Sequence, residues 1–205
     1  MKLYPVIALL AALASVSARA EKVWGDFIAG GTACNNNNVS VIENGNNLSV
    51  LFDNFGVNMP QQDFGDGLSA RKTCTFRISM TPPKGFYLAG FDQVYSGGLI
   101  KSRNSSAQLN IRYNIGSVVG QPLPIVWRNG TTIRPEDPSS LFQKSYHNDL
   151  LIVACGGSTI YGLNMSMTAT RSNDFSEHVV GGLDSVDATL TRRLDLIPVW
   201  RVCPR

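Results

Sequence analysis

Apolar and polar residues alternate through most of this chain, and that two-residue period is the feature that most limits its fold. In Cys74-Thr75-Phe76-Arg77-Ile78-Ser79-Met80 the apolar side chains share one face, and Thr75, Arg77 and Ser79 share the other. Successive side chains of an extended strand point to opposite faces, so the pattern describes a strand buried on one side only. Leu109, Ile111, Tyr113 and Ile115 alternate in the same way with Asn110, Arg112 and Asn114. So do Leu163, Met165, Met167 and Ala169 with Asn164, Ser166 and Thr168, which puts Asn164 on a wet face. Helical periodicity is scarce.

Further strands are predicted at Val39 to Ile42, Leu48 to Phe55, Phe86 to Tyr95, Leu150 to Ala154 and Leu194 to Val202. In the last of these, alternation sets Trp200 and Val202 together against the core. Between the strands stand turn formers: Asn44-Gly45-Asn46, Pro82-Pro83-Lys84-Gly85, Ser96-Gly97-Gly98, Asn129-Gly130 and Gly156-Gly157. Each supplies the positive or fixed φ that a chain reversal needs, and Asn44-Gly45 between two apolar runs is a hairpin signal. Pro135 to Lys144 reads as a loop with one helical turn. Eight or more strands with short connections predict an all-β fold, an antiparallel two-sheet β-sandwich. No repeat or linker divides the chain, so residues 21–205 are expected to form a single domain.

The first twenty residues have a different design. Lys2 precedes an apolar run from Val6 to Ala14, and Ala18-Arg19-Ala20 then stands before Glu21. That is the layout of a cleavable signal peptide over residues 1–20, and the apolar run is shorter than the roughly 20 residues a membrane-spanning helix requires. No later segment is apolar enough to span, so the predicted location is extracellular or periplasmic, with no membrane span in the mature chain. The full chain has 18 basic and 15 acidic residues, a formal charge of +3; cleavage removes Lys2 and Arg19 and leaves +1. So small a net charge argues against nucleic acid or anionic lipid as partner, since both reward clustered lysine and arginine.

In an oxidising compartment Cys34, Cys74, Cys155 and Cys203 are expected to form two disulfides. No CxxC pair is present to favour zinc. Three pairings are possible; the preferred one joins Cys34 to Cys74 and Cys155 to Cys203, each within one half of the chain. Asn-X-Ser/Thr sequons start at Asn38, Asn47, Asn104, Asn129 and Asn164, candidate N-glycosylation sites in a host that performs that chemistry.

No catalytic constellation emerges. Tyr95-Ser96-Gly97 and Gly157-Ser158-Thr159 lack the flanks of a nucleophile elbow, and His147 and His178 read as surface residues. Asp53, Asp92, Asp149 and Asp195 are candidates for a glycosidase pair, but scattered ones. Asp63-Phe64-Gly65-Asp66-Gly67 has the content of a calcium loop without its spaced oxygen ligands or terminal Glu. No cofactor is implied. Trp24 and Trp127 are candidate ligand-stacking residues for sugar rings, weighed against ordinary packing.

Several motifs together resemble a known family. Gly30-Gly31-Thr32-Ala33-Cys34, Leu48 to Phe55, Arg71-Lys72-Thr73-Cys74, Pro83-Lys84-Gly85-Phe86, Tyr95-Ser96-Gly97-Gly98, Cys155-Gly156-Gly157 and Trp200 to Cys203 occur in the order seen in an uncharacterised family of secreted cysteine-paired proteins, domain-of-unknown-function family 4360. The resemblance implies secretion, a β-sandwich and paired cysteines, and it transfers no catalytic residue. The expected function is therefore non-enzymatic: surface binding of an extracellular glycan or protein, or a role as an envelope component. A carbohydrate-binding module is the first alternative and a secreted hydrolase with an unrecognised carboxylate or histidine site the second.

Overall fold

The computed structural model describes residues 22–53, 55–59, 68–120, 122–148, 154–173, 176–183 and 193–204. Residues 1–20, expected to be a signal peptide, and nearly all of the strand expected at Leu150 to Ala154 lie outside these residues. In chain order the strands are β1 (Trp24–Gly30), β2 (Val39–Asn44), β3 (Asn47–Phe52), β4 (Gly56–Met59), β5 (Ser69–Met80), β6 (Phe86–Lys101) and β7 (Ser106–Ile115). They continue with β8 (Val118–Val119), β9 (Leu123–Trp127), β10 (Leu141–Asn148), β11 (Thr159–Thr170), β12 (Val179–Gly182) and β13 (Arg193–Val202).

All pairings between these strands are antiparallel, and they make two sheets. The six-stranded sheet runs β1-β5-β11-β7-β8, with β9 also on β7; the seven-stranded sheet runs β2-β3-β13-β6-β12-β4, with β10 also on β6. The three segments read most clearly as half-buried strands, β5, β7 and β11, lie side by side in the middle of the first sheet. Their alternation is complete: β5 buries Cys74, Phe76, Ile78 and Met80 and turns Arg71, Arg77 and Ser79 outward.

The inward faces of the two sheets meet in one core. Rings cross the gap: Phe91 of β6 packs on Trp24 of β1 and on Tyr161 of β11, with centroids 6.2 and 5.6 Å away. A buried polar knot crosses it too. The hydroxyls of Tyr95 and Tyr161 both donate to Oε1 of Gln93, at 2.6 and 2.8 Å.

Two covalent links clamp this body. Cys34–Cys74 ties the segment after β1 to the middle of β5, and Cys155–Cys203 ties the approach to β11 to the end of β13, with Cα separations of 5.1 and 5.9 Å. These are the pairings preferred because each stays within one half of the chain. The hairpin at Asn44-Gly45 is also present, Asn44 pairing with Asn47 while Gly45 takes a φ of +60°.

Three local expectations are corrected. Ser96-Gly97-Gly98 is no turn but the middle of β6; a Cβ at Gly97 would lie 2.4 Å from the Gly182 carbonyl and 2.5 Å from the Phe142 ring. The glycine is there for close approach of neighbours, a role that reads like a turn signal in isolation. Pro135 to Lys144 does hold the expected single helical turn, a 3-10 turn at Pro138–Ser140, but the loop ends early and becomes strand at Leu141. Trp200 and Val202 do not share a buried face. A register shift between Val199 and Trp200 breaks the alternation, leaving Trp200 half-buried and Val202 71% exposed.

At the end of β6 the chain buries a cation. Lys101 is fully enclosed, and its Nζ donates to the carbonyl oxygens of Ser102, Ser105 and Thr131 at 3.1, 2.9 and 2.5 Å. Burial pulls its pKa below the ordinary lysine value, opposed by the Glu177 carboxylate. The ammonium supplies the donor that the Ser105 and Thr131 carbonyls take, and adds to the Ser105 N–H and hydroxyl already on the Ser102 carbonyl. Lys101→Met keeps the length and removes the donors, and should cost about 2 kcal/mol of unfolding free energy in urea titrations, since buried acceptors are left unsatisfied. A loss below about 0.5 kcal/mol would show that the carbonyls find other donors.

Candidate functional site

The outer faces of the two sheets differ. On the six-stranded sheet, register assembles a polar field from three strands. Thr75 of β5 stands opposite Asn164 of β11, which stands opposite Arg112 of β7. The next row is Thr73, Ser166 and Asn110; the one after is Arg71, Thr168 and Gln108. On the other side, Arg77, Gly162 and Asn114 form a fourth row.

These side chains hold one another in place. Thr75 Oγ1 donates to Asn164 Oδ1 at 2.9 Å, Arg71 Nε to Ser166 Oγ at 2.9 Å, and Gln108 Nε2 to Asn110 Oδ1 at 2.8 Å. Gly162 leaves room for the Asn114 amide, whose Oδ1 would lie 2.4 Å from a Cβ there. Rows one to three, without Gln108, surround one shallow depression. Hydrogen bonds of this kind, two across strands and one along β7, fix rotamers on a sheet surface, so the groups are pre-ordered before any ligand arrives.

Among the described residues no group of three or more His, Cys, Asp or Glu side chains could hold a metal ion. The candidate carboxylates do not converge. Asp92 contacts His147 Nδ1 across β6 and β10, while Asp195 accepts from Ser49 Oγ at 2.6 Å and from Arg193 Nε at 2.8 Å. Both lie on the opposite sheet from the polar field. Asp53 is exposed after β3, and Asp149 and the segment Asp63 to Gly67 lie outside the described residues. His178 is tied to Ser102: its Nδ1 lies 2.8 Å from Ser102 Oγ, and its backbone N–H donates to the same oxygen at 2.9 Å. That closes a loop beside Lys101.

Trp24 is not a stacking residue. It is wholly buried, and its indole N–H donates to the Asn46 carbonyl at 2.9 Å, which stitches β1 to the β2–β3 turn. An indole that finds a buried acceptor has no reason to face water. The backbone of Trp127 closes β9, and its side chain lies outside the described residues. Of the sequons, Asn47, Asn104, Asn129 and Asn164 are exposed and Asn38 is half-buried. The amide nitrogens of Asn38 and Asn104 are engaged, on the Ala33 carbonyl and on Glu177.

The chain matches one family profile, a domain of unknown function, DUF4360, over residues 25–203. The chain belongs to the DUF4360 family. No curated protein matches it. Two solved structures share a general likeness with this DUF4360 chain. One is TmCBM61 in complex with beta-1,4-galactotriose, at 8% identity and a TM-score of 0.29, covering 84% of this chain and 88% of that one. The other is the enzymatically active domain of bacteriophage CBA120 tailspike protein 4, at 10% identity and a TM-score of 0.28, of which this chain spans 19%. Likeness at this level carries no ligand or activity over to the DUF4360 chain.

Sequence reasoning placed Asn164, Arg112 and Thr75 on wet faces without joining them. The joining is a matter of strand order and register, for which no local signal exists.

Proposed function

We propose that this chain is exported and acts without chemistry, by binding an extracellular ligand on the outer face of the six-stranded sheet. One observation carries the reading: amide, hydroxyl and guanidinium groups from three adjacent strands stand in register around one depression, braced by their own hydrogen bonds. Such a surface suits a ligand rich in hydroxyls and acceptors, since each exchanged hydrogen bond adds affinity only where the protein group is already ordered. Two engaged cysteine pairs fit an oxidising compartment. Among the described residues, no helix is long and apolar enough to cross a membrane.

Glycosylation bears on the same face. A glycan on Asn164 would cover the depression, whereas glycans on Asn47 or Asn129 would leave it open. Binding and occupancy of Asn164 therefore exclude one another.

The test is a panel of glycans and extracellular proteins against the mature chain made without glycans. Thr75→Ala combined with Asn164→Ala and Asn110→Ala should weaken any ligand at least tenfold while leaving the melting temperature unchanged. Full binding by this triple variant would remove the site. Hydrolysis abolished by Asp92→Asn or Asp195→Asn alone would instead establish the hydrolase reading.

A further inference from the structure

The strands of the six-stranded sheet have an uneven charge. β1, β5, β7, β8, β9 and β11 together contain a single acidic residue, Asp26, on the β1 edge, against Arg71, Lys72, Arg77 and Arg112. Lys72 is buried on the inner face, and the three arginines are exposed on the outer one. The seven-stranded sheet is mixed, with Glu43, Asp92 and Asp195 among its lysines and arginines. A chain whose net charge is close to neutral thus gathers positive charge on one face.

We infer that the ligand is an acidic polysaccharide carrying carboxylates along its length, and that Arg71, Arg77 and Arg112 hold those carboxylates. The inference rests on the outer face being the binding site, as proposed above. All three cations are arginine, whose planar fork matches a carboxylate with two parallel hydrogen bonds. Arg71 is already steered: its Nε bond to Ser166 leaves the terminal edge of the guanidinium for such a pair.

Spacing calls for a polymer. Arg71 and Arg77 lie six residues apart on one strand, about 20 Å from Cα to Cα at the rise of an extended chain. Arg112 is two strands across, about 12 Å from Arg77 and 16 Å from Arg71 by strand spacing and register. One small anion cannot bridge all three. Between them the sheet offers Thr73, Thr75, Asn110, Asn164 and Ser166, donors and acceptors suited to sugar hydroxyls rather than to further charge. Among the described outer side chains of β1, β5, β7 and β11 none is aromatic, and unpaired nucleic acid bases would want such platforms. With no ring among these side chains to stack on, a sugar polymer on this face is held by charge and hydrogen bonds, and the single-stranded DNA arm of the titration separates it from nucleic acid.

The experiment titrates the glycan-free mature chain with polygalacturonate, its methyl-esterified form, dextran, dextran sulfate and single-stranded DNA. Polygalacturonate should bind, at least tenfold more weakly in 300 mM than in 50 mM salt, and the methyl ester and dextran should not. Arg71→Gln, Arg77→Gln and Arg112→Gln should each weaken it about tenfold at an unchanged melting temperature, because all three side chains are exposed. Absence of polygalacturonate binding, or preference for dextran sulfate or DNA, overturns the carboxylated-glycan assignment. A neutral glycan lost on Thr75→Ala and Asn164→Ala, yet unaffected by the arginine variants, overturns it while leaving the site in place. Polygalacturonate binding that survives both sets of variants overturns the site itself.

Discussion

Replacing both members of either cysteine pair by alanine should lower the unfolding free energy by about 4 kcal/mol, the loop entropy returned to the unfolded chain when links spanning 40 and 48 residues are lost. For a domain of this size that is a fall in melting temperature of roughly 8–16 °C. The two pairs should not be equal. Cys34 and Cys74 are 2% and 1% exposed, within the core, so their removal also vacates packed volume and adds a cavity penalty. Cys155 is exposed beside Tyr87 and Val202, and its pair should cost little beyond the entropy term. Calorimetry of the two double variants measures both the size and the order. Melting temperatures within about 2 °C of the parent chain would mean that sheet packing alone holds the sandwich and the links are incidental.

What the sequence revealed, and what it hid, follows from how many faces of a strand are buried. β5, β7 and β11 were legible because each has one dry and one wet side, and their polar residues are the ones that now form the candidate site. β10 was missed because it is largely exposed, with only Phe142 and Tyr146 packed on the core; a strand wet on both sides has no period. β12, Val179–Gly182, and β4, Gly56–Met59, are too short to show one. The far half of β6 was hidden by glycines serving close packing. Trp24 misled in the opposite sense: its type suggested a platform, whereas the Asn46 carbonyl gives its N–H a buried partner. The arginine face escaped because net charge sums over the molecule, while recognition depends on which strands lie side by side.

The largest pH effect should appear on the alkaline side and come from the tyrosine knot between the sheets. Burial raises the pKa of both Tyr95 and Tyr161 above the ordinary tyrosine value of 10.0, Tyr161 further raised by its neighbour Tyr95. A phenol whose folded pKa is raised stabilises fully below the unfolded value and loses that contribution as pH climbs toward the folded one. Above pH 10 the unfolded chain releases at least the two protons that native Tyr95 and Tyr161 retain, so stability should fall by about 3 kcal/mol per pH unit, and partial burial of Tyr146, which raises its pKa, acts in the same direction. Lys101 acts with the opposite sign, because its lowered pKa makes stability rise with pH, but only up to the unfolded lysine value of 10.5. The slope above pH 11 therefore belongs to the tyrosines. Urea titrations at pH 11 and 12 measure it, and absorbance near 295 nm should show the last two phenolates appearing together with unfolding rather than before it. Tyr161→Phe removes one of the two titrating groups and should halve the slope, although it also loses the bond to Gln93 at every pH. A flat stability profile from pH 11 to 12, with all five tyrosines of residues 21–205 ionising in the native state, would mean that water reaches the space between the sheets and that the core is not closed.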